Sequence, residues 1–314
     1  MKADLVFING NVLTMNDVSK KAKAVAVRNG SIVLVGENED ALALKGEKTE
    51  VVDLEGKTMM PGFVESHTHT TGYGLNLLQV DLRPEHAPTM DDFLQKVKEA
   101  ADQTPKGQWI RGWGWDDSRL VEKRNPSRWD LDKVAPDHPV FLKRTCGHVS
   151  VANSKALEVS GVTKETEDPA GGHIVKDKET GEPTGLLQEK AQGLIKVPAF
   201  TFEDVSEGLK RAQKDYAKWG ITTLHDMSTQ AVDLQVFQSL KEKGELTVRV
   251  RPWVWAMAQE PRVGLLDDMV ALGIRSGLGD DMVKIQGSKF MLDGSAGGRT
   301  AAVAEPYEDD ESKG

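Results

Sequence analysis

The chain has 314 residues, 39% hydrophobic and 28% charged, with 30 glycines, a composition of folded globular proteins rather than disordered or collagen-like ones. Forty basic against 49 acidic residues leave a formal charge of −9, which argues against a nucleic-acid surface. The one cysteine, Cys146, excludes an intrachain disulfide and a cysteine zinc cluster. No run of 18 apolar residues predicts a membrane span, and the start lacks the apolar core of a signal peptide. The expectation is a cytoplasmic protein with neither a nucleic acid nor a membrane as partner.

Residues 1–60 read as short strands punctuated by turns. Leu5–Ile8 precedes Asn9-Gly10 and Asn11–Met15 follows; Ala24–Val27 precedes Asn29-Gly30 and Ser31–Val35 follows. An Asn-Gly pair between β-rich runs is a strong hairpin signal, because both residues tolerate positive φ. Glu50–Leu54 is a third strand, with Gly56 as the next turn. Pro61–His69 then reads as a turn leading into a buried strand. Residues of about 80–200 are less regular and hold four of the seven tryptophans, Trp109, Trp113, Trp115 and Trp129. Met90–Ala101 has helical spacing, Val140–Leu142 is a strand, and the segment from Gly171 to Gly185 is a hairpin. After 200 the rhythm becomes helix and strand in turn: a helix over Thr201–Trp219, a strand over Ile221–Asp226, a helix over Val232–Lys243, a strand over Leu246–Ala256, a helix over Leu265–Leu272, and strands over Met282–Ile285 and Lys289–Leu292. Such alternation implies a parallel sheet with helices outside it. The last ten residues, Glu305–Gly314, are acidic and expected to be disordered.

His67 and His69 stand two apart in the strand predicted at Pro61–His69, so their side chains leave the same face. Two neutral imidazoles placed that way can donate to one metal ion. At the C-terminal end of a strand in a parallel α/β barrel they would face the active side. The alternative is a pair of hydrogen-bonded polar side chains at a strand end.

The run Pro61-Gly62-Phe63-Val64-Glu65-Ser66-His67-Thr68-His69 resembles the first-strand signature of the amidohydrolase superfamily. Trp113–Asp116, Pro139–Thr145, Gly147-His148, Asn153–Leu157, Gly181–Leu187, Gly220–Asp226 and Lys289–Ala302 resemble, in order along nearly the whole chain, amidohydrolase family 3, the YtcJ-like branch. The resemblance implies metal-dependent hydrolysis on a (β/α)8 TIM-type barrel with a small β-sandwich. Here the fold would be α/β, the first four strands of such a barrel, with an N-terminal β-sandwich part at 1–60, an incomplete barrel at 61–304 and an insertion at about 80–200. It implies that His67 and His69 bind Zn2+ or another divalent metal. Lys289, on the fourth strand, would be carboxylated and bridge a second metal, with Lys284 as its alternative. Carboxylation needs a neutral amine, hence a lysine whose charge is disfavoured by burial or a nearby cation.

The family pattern continues with two more metal-binding histidines and a catalytic aspartate from later strands. All seven histidines here lie at or before position 225. No catalytic residue is therefore assigned, and a half-barrel would expose two sheet edges. The expected function is hydrolysis of a C–N bond in a small-molecule amide or cyclic amide. The alternative is a catalytically inactive truncated or split-gene product needing a C-terminal partner chain, or a regulatory protein derived from the hydrolase fold. Open apolar edges also predict a homo-oligomer.

His148, His225, Asp226, Trp115 and Arg299 are candidate substrate-pocket residues. His225-Asp226 ends the second barrel strand, with a structural hydrogen-bonded pair as the alternative reading. Gly294–Arg299 is a glycine-rich loop that could hold an anion. The tryptophan cluster could shape an apolar pocket or be core. His173 and Glu189 are weaker pocket candidates. His86 and His138 read as surface residues, Asp116-Asp117 as a solvated face and Cys146 as structural.

Overall fold

In the computed structural model, which describes residues 2–258, 263–293, 301–307 and 313, the first 60 residues build β1 (Leu5–Ile8), β2 (Asn11–Leu13), β3 (Lys21–Ala22), β4 (Ala24–Arg28), β5 (Ser31–Gly36), a short helix α1 (Asn38–Ala43), β6 (Glu50–Asp53) and β7 (Thr58–Met59). They form two small sheets, ordered β5-β4-β1-β6 and β3-β2-β7. Asn29-Gly30 makes the expected hairpin: β4 and β5 pair antiparallel with Arg28 opposite Ser31, and both turn residues have positive φ, 49° and 74°. Asn9-Gly10 does not. β1 pairs with β4 and β6, whereas β2 pairs with β3 and β7. The reason lies in the polar partners of Asn9. Its N–H donates to Asn38 Oδ1 and its Nδ2 to Asp53 Oδ2, while Gly10 N–H donates to the Lys23 carbonyl. These bonds carry the chain from one sheet to the other instead of folding it back.

Two compact units result: residues 1–64 with 220–223, and residues 65–219 with 224–314. The second begins in β8 (Phe63–Thr68) and α2 (Thr70–Asn76), then holds an inserted region of β9 (Val80–Asp81), α3 (Met90–Gln103), β10 (Ile110–Trp115), α4 (Arg128–Asp132), β11 (Val140–Arg144), β12 (Val149–Ala152), α5 (Ser154–Ser160), β13 (Gly172–Lys176) and β14 (Pro183–Glu189). Its six strands form one mixed sheet, ordered β13-β14-β12-β11-β10-β9. The core beneath it includes Trp115, Phe93, Leu82, Leu120, Leu131 and Leu142, all without exposed surface. Burying a side chain of this size stabilises by about 1.5–3 kcal/mol. Capping boxes Thr89–Asp92 and Ser127–Asp130 start α3 and α4.

The chain then alternates helix and strand as its periodicity predicts: α6 (Phe202–Lys218), β15 (Ile221–Thr229), α7 (Ala231–Glu242), β16 (Arg249–Trp255), α8 (Leu266–Ala271) and β17 (Gly287–Lys289). The strands form a curled parallel half-barrel, ordered β17-β16-β15-β8. α6 buries Val205, Leu209, Ala212 and Tyr216, whereas Trp219, the last residue of the helix expected from sequence, caps it and is 53% exposed. Helices α2 and α6 cross where glycine meets glycine: a Cβ on Gly74 would lie 2.6 Å from the carbonyl carbon of Gly208. Only glycine permits that approach. No helix among the described residues is long and apolar enough to cross a membrane. Glu305–Tyr307 and Lys313 of the acidic tail are described; the rest of the tail, and the loop Gly294–Arg299, lie outside the described residues.

Candidate metal centre

His67 lies in β8, and His69 follows its last residue as the N-cap of α2. Thr70, just past the strand, is fully buried, while His67 and His69 are exposed. β8 is exposed on both faces, with Phe63 54% and Val64 57% exposed and only Glu65 and Thr68 half-buried, rather than buried as the sequence led one to expect. The two imidazoles lie 5.5 Å apart between centroids, edge to face at 80°. His69 Nδ1 is 2.8 Å from the Met227 carbonyl oxygen. A carbonyl can only accept, so Nδ1 carries the proton and the neutral ring keeps its lone pair on Nε2. This is how a histidine is set for metal ligation, one nitrogen held by an acceptor and the other presented.

The backbone beside His69 is fixed to the same strand. Thr70 N–H donates to Asp226 Oδ1 at 2.8 Å, and the Thr229 hydroxyl donates to Asp226 Oδ2 at 2.6 Å. Residues 69 and 70 are therefore held to residues 226 and 227 at two points. Asp226 is 2% exposed, and burial, only partly offset by the Thr229 hydroxyl, pushes its carboxyl up to about 6. Burial likewise pushes the Asp233 carboxyl up, against the Gln230 N–H and Thr71 hydroxyl that it accepts. His69, Thr71, Asp226, Met227, Gln230 and Asp233 line part of a cavity of about 300 Å³. Ser228, also on its wall, has φ of 74°, a left-handed conformation that non-glycine residues adopt at a cost.

His225 precedes Asp226 and so faces the opposite way from it. The indole N–H of Trp253 donates to His225 Nδ1 at 3.0 Å, with the ring centroids 6.2 Å apart. Trp253 in turn lies over β17. It is paired with Gly287, where a Cβ would come within 2.8 Å of its ring. Lys289, two residues on, shares that face with Gly287 and is half-buried. It ends its strand rather than starting one, as the sequence reading had it. Lys284 lies outside the named strands and is 3.9 Å from Asp281.

The remaining candidates are dispersed. Trp115, expected at a pocket, belongs instead to the inserted core, with Phe93 edge-on at 6.4 Å and its indole N–H on Asn125. That packing leaves it no exposed surface to offer a ligand. His148 is exposed on the inserted sheet and pairs with Glu189 at 3.0 Å. His173 pairs with Asp168 and exposed His86 with Asp81. Three readings need correction. His138 is buried, 4% exposed, with Nδ1 on the Gln108 carbonyl. Asp116 and Asp117 are held by Arg144 through Nη2 and Nε rather than solvated freely. Cys146 is exposed. Arg299 lies outside the described residues. Met227 and Trp253 orient the two histidines, yet neither carries a sequence signal, one acting through its backbone and the other from a different strand.

The donor chemistry of His67 and His69 fits a divalent cation. It does not complete a ligand shell: among the described residues no group of three or more His, Cys, Asp or Glu is placed to hold an ion. Zinc sites normally use three or four protein ligands.

Residues 50–314 match the family model described as "Amidohydrolase family". The chain is 37% identical to YtcJ of Bacillus subtilis (strain 168), a protein with an amidohydrolase name, over 99% of this chain and 58% of that one. It is 32% identical to the N-substituted formamide deformylase of Arthrobacter pascens, over 77% of this chain and 46% of that one. Among solved structures, a metal-dependent hydrolase from Pyrococcus horikoshii OT3 aligns with TM-score 0.75 and 32% identity, over 98% of this chain and 58% of that one. The chain thus spans about half the length of the curated relatives it matches. With the family model covering most of its residues, the chain belongs to the amidohydrolase family.

Proposed function

We propose that this chain carries the first metal-binding strand of a metal-dependent hydrolase that cleaves a C–N bond in a small amide or cyclic amide. The observation that supports this best is the His67–His69 pair, two imidazoles on one face with His69 Nε2 presented by the Met227 carbonyl. The formamide deformylase and the metal-dependent hydrolase among its relatives support the same chemistry. His67 and His69 would hold Zn2+ or another divalent cation, and Lys289, carboxylated, would bridge a second one. The cation would supply Lewis acidity toward a carbonyl oxygen. The protein's own part is to orient His69 through Met227 and to fix the adjoining backbone through Asp226. We place the protein in the cytoplasm, with a small amide as substrate.

A second reading is that the chain is inactive alone and works with a C-terminal partner chain or a second copy of itself. Two observations favour it: the two-histidine donor set, and the exposed apolar run Phe290, Met291 and Leu292 at 46, 45 and 87%. The test is hydrolysis of small amides, N-substituted formamides among them, by the purified chain with added Zn2+, beside His67→Ala. Turnover lost in the variant supports the first reading. Equal turnover in both removes the metal role. Metal binding without turnover supports the second.

A further inference from the structure

The two histidines that the half-barrel sheet orients are set in opposite tautomers. His69 Nδ1 faces a carbonyl oxygen, which can only accept, so the lone pair of His69 is on Nε2. His225 Nδ1 faces the indole N–H of Trp253, which can only donate. Nδ1 of His225 must therefore be unprotonated, and the neutral ring carries its proton on Nε2. Among the described residues that Nε2–H meets no acceptor. His225 is half-buried rather than sealed in the core. The indole is itself fixed, since its six-membered ring lies against Gly287, where no side chain could stand. A donor held that firmly loses little freedom when an acceptor arrives.

We infer that His225 is a catalytic residue, a neutral hydrogen-bond donor whose Nε2–H binds the electron-rich oxygen of the substrate, the amide carbonyl or the carboxylate released from it. One histidine of the sheet offers a lone pair to a cation and the other offers a proton to an oxygen, and the difference is written by their Nδ1 partners. His225 is thereby excluded as a metal ligand through Nδ1, whose lone pair Trp253 occupies. The tautomer follows from the geometry alone; the identity of the oxygen rests on the hydrolase reading above.

The test uses the full chain, 15N-labelled at histidine and free of metal. Ring-nitrogen NMR, assigned by the signal missing in His225→Phe, is expected to give His225 as the Nε2–H tautomer and His69 as the Nδ1–H tautomer. In Trp253→Phe the His225 preference should relax toward a mixture of tautomers. Sodium acetate, standing for a carboxylate product, should shift His225 Nε2 on titration. Its affinity should fall about two- to tenfold in His225→Phe, the worth of one hydrogen bond. An Nδ1–H tautomer at His225 in the wild type overturns the inference. So does a His225 Nε2 signal indifferent to acetate, or equal acetate affinity in His225→Phe. Zn2+ titration of His225→Phe separates this from the metal reading: Zn2+ affinity should be unchanged there, whereas its loss in His67→Ala, with the His225 tautomer intact, belongs to the metal site.

Discussion

In the inserted region, Trp115 and Phe93 have no exposed surface, and Asp130 is tied to Arg124 through both terminal guanidinium nitrogens. In the half-barrel sheet, His67 and His69 are exposed, Phe290, Met291 and Leu292 stand open to solvent, and buried Asp226 is held by Thr70 and Thr229 rather than by a cation. The first region closes on itself, so its aromatic and charged residues are satisfied by their neighbours and serve stability. Among the described residues the second leaves side chains open, and there the same residue types present donors and lone pairs without a partner. Polar groups left open on a fixed sheet are the raw material of a site. That is why Trp115 packs into the core, whereas the half-barrel histidines are the groups proposed to carry the chemistry.

The contrast makes graded predictions. The largest effect belongs to the closed region: Trp115→Ala should lower stability by about 3–5 kcal/mol, against about 0.5 kcal/mol or less for Phe290→Ser, in chemical denaturation. Equal losses would mean that both faces are packed.

Next comes the pH dependence, whose sign should differ between the regions. At Asp130, burial alone would raise the carboxyl, but the Arg124 guanidinium and the Ser127 hydroxyl and N–H hold it at about 2, below its ordinary 3.8. Its contribution is present above pH ~4 and lost as pH falls toward ~2. Asp226 is raised from 3.8 to about 6, so the folded state holds a proton that the unfolded chain has released. Its advantage is full below pH ~4 and gone once pH rises through ~6, a change on the order of 3 kcal/mol. Asp226→Asn mimics the protonated form: Oδ1 can accept Thr70 N–H and Nδ2 can donate to Thr229 Oγ1. The stability of this variant relative to the wild type should grow between pH 4 and 6 and then level off. A gap independent of pH in thermal melts would contradict the burial argument.

The smallest effect is expected at His148→Ala. Its pair with Glu189 is exposed and worth at most about 1 kcal/mol, so stability should barely change and Zn2+ affinity should not change at all.

How far the sequence carried depended on range. The His67–His69 pair was legible because i and i+2 share a face wherever the backbone is extended, and Asn29-Gly30 because the runs on either side of the turn pair with each other, Arg28 opposite Ser31. Asn9-Gly10 has the same dipeptide but a different outcome, since Asn38 and Asp53, 29 and 44 residues away, claim its hydrogen bonds. Likewise His69 meets its acceptor 158 residues on and His225 its donor 28 residues on, so neither tautomer could be read from spacing. His138 looked like a surface residue beside Asp137 and Pro139, yet its acceptor Gln108 draws it inside from 30 residues away.

The central claim is that the imidazoles of His67 and His69 converge on one cation. Titrating the metal-free chain with Co2+ and following the visible absorption of the bound ion tests it most directly. The wild type and His148→Ala should bind alike, and His67→Ala and His69→Ala should each weaken binding by more than the about 10–100-fold that losing an outer partner costs. Co2+ spectra and affinities unchanged in His67→Ala and His69→Ala would contradict it.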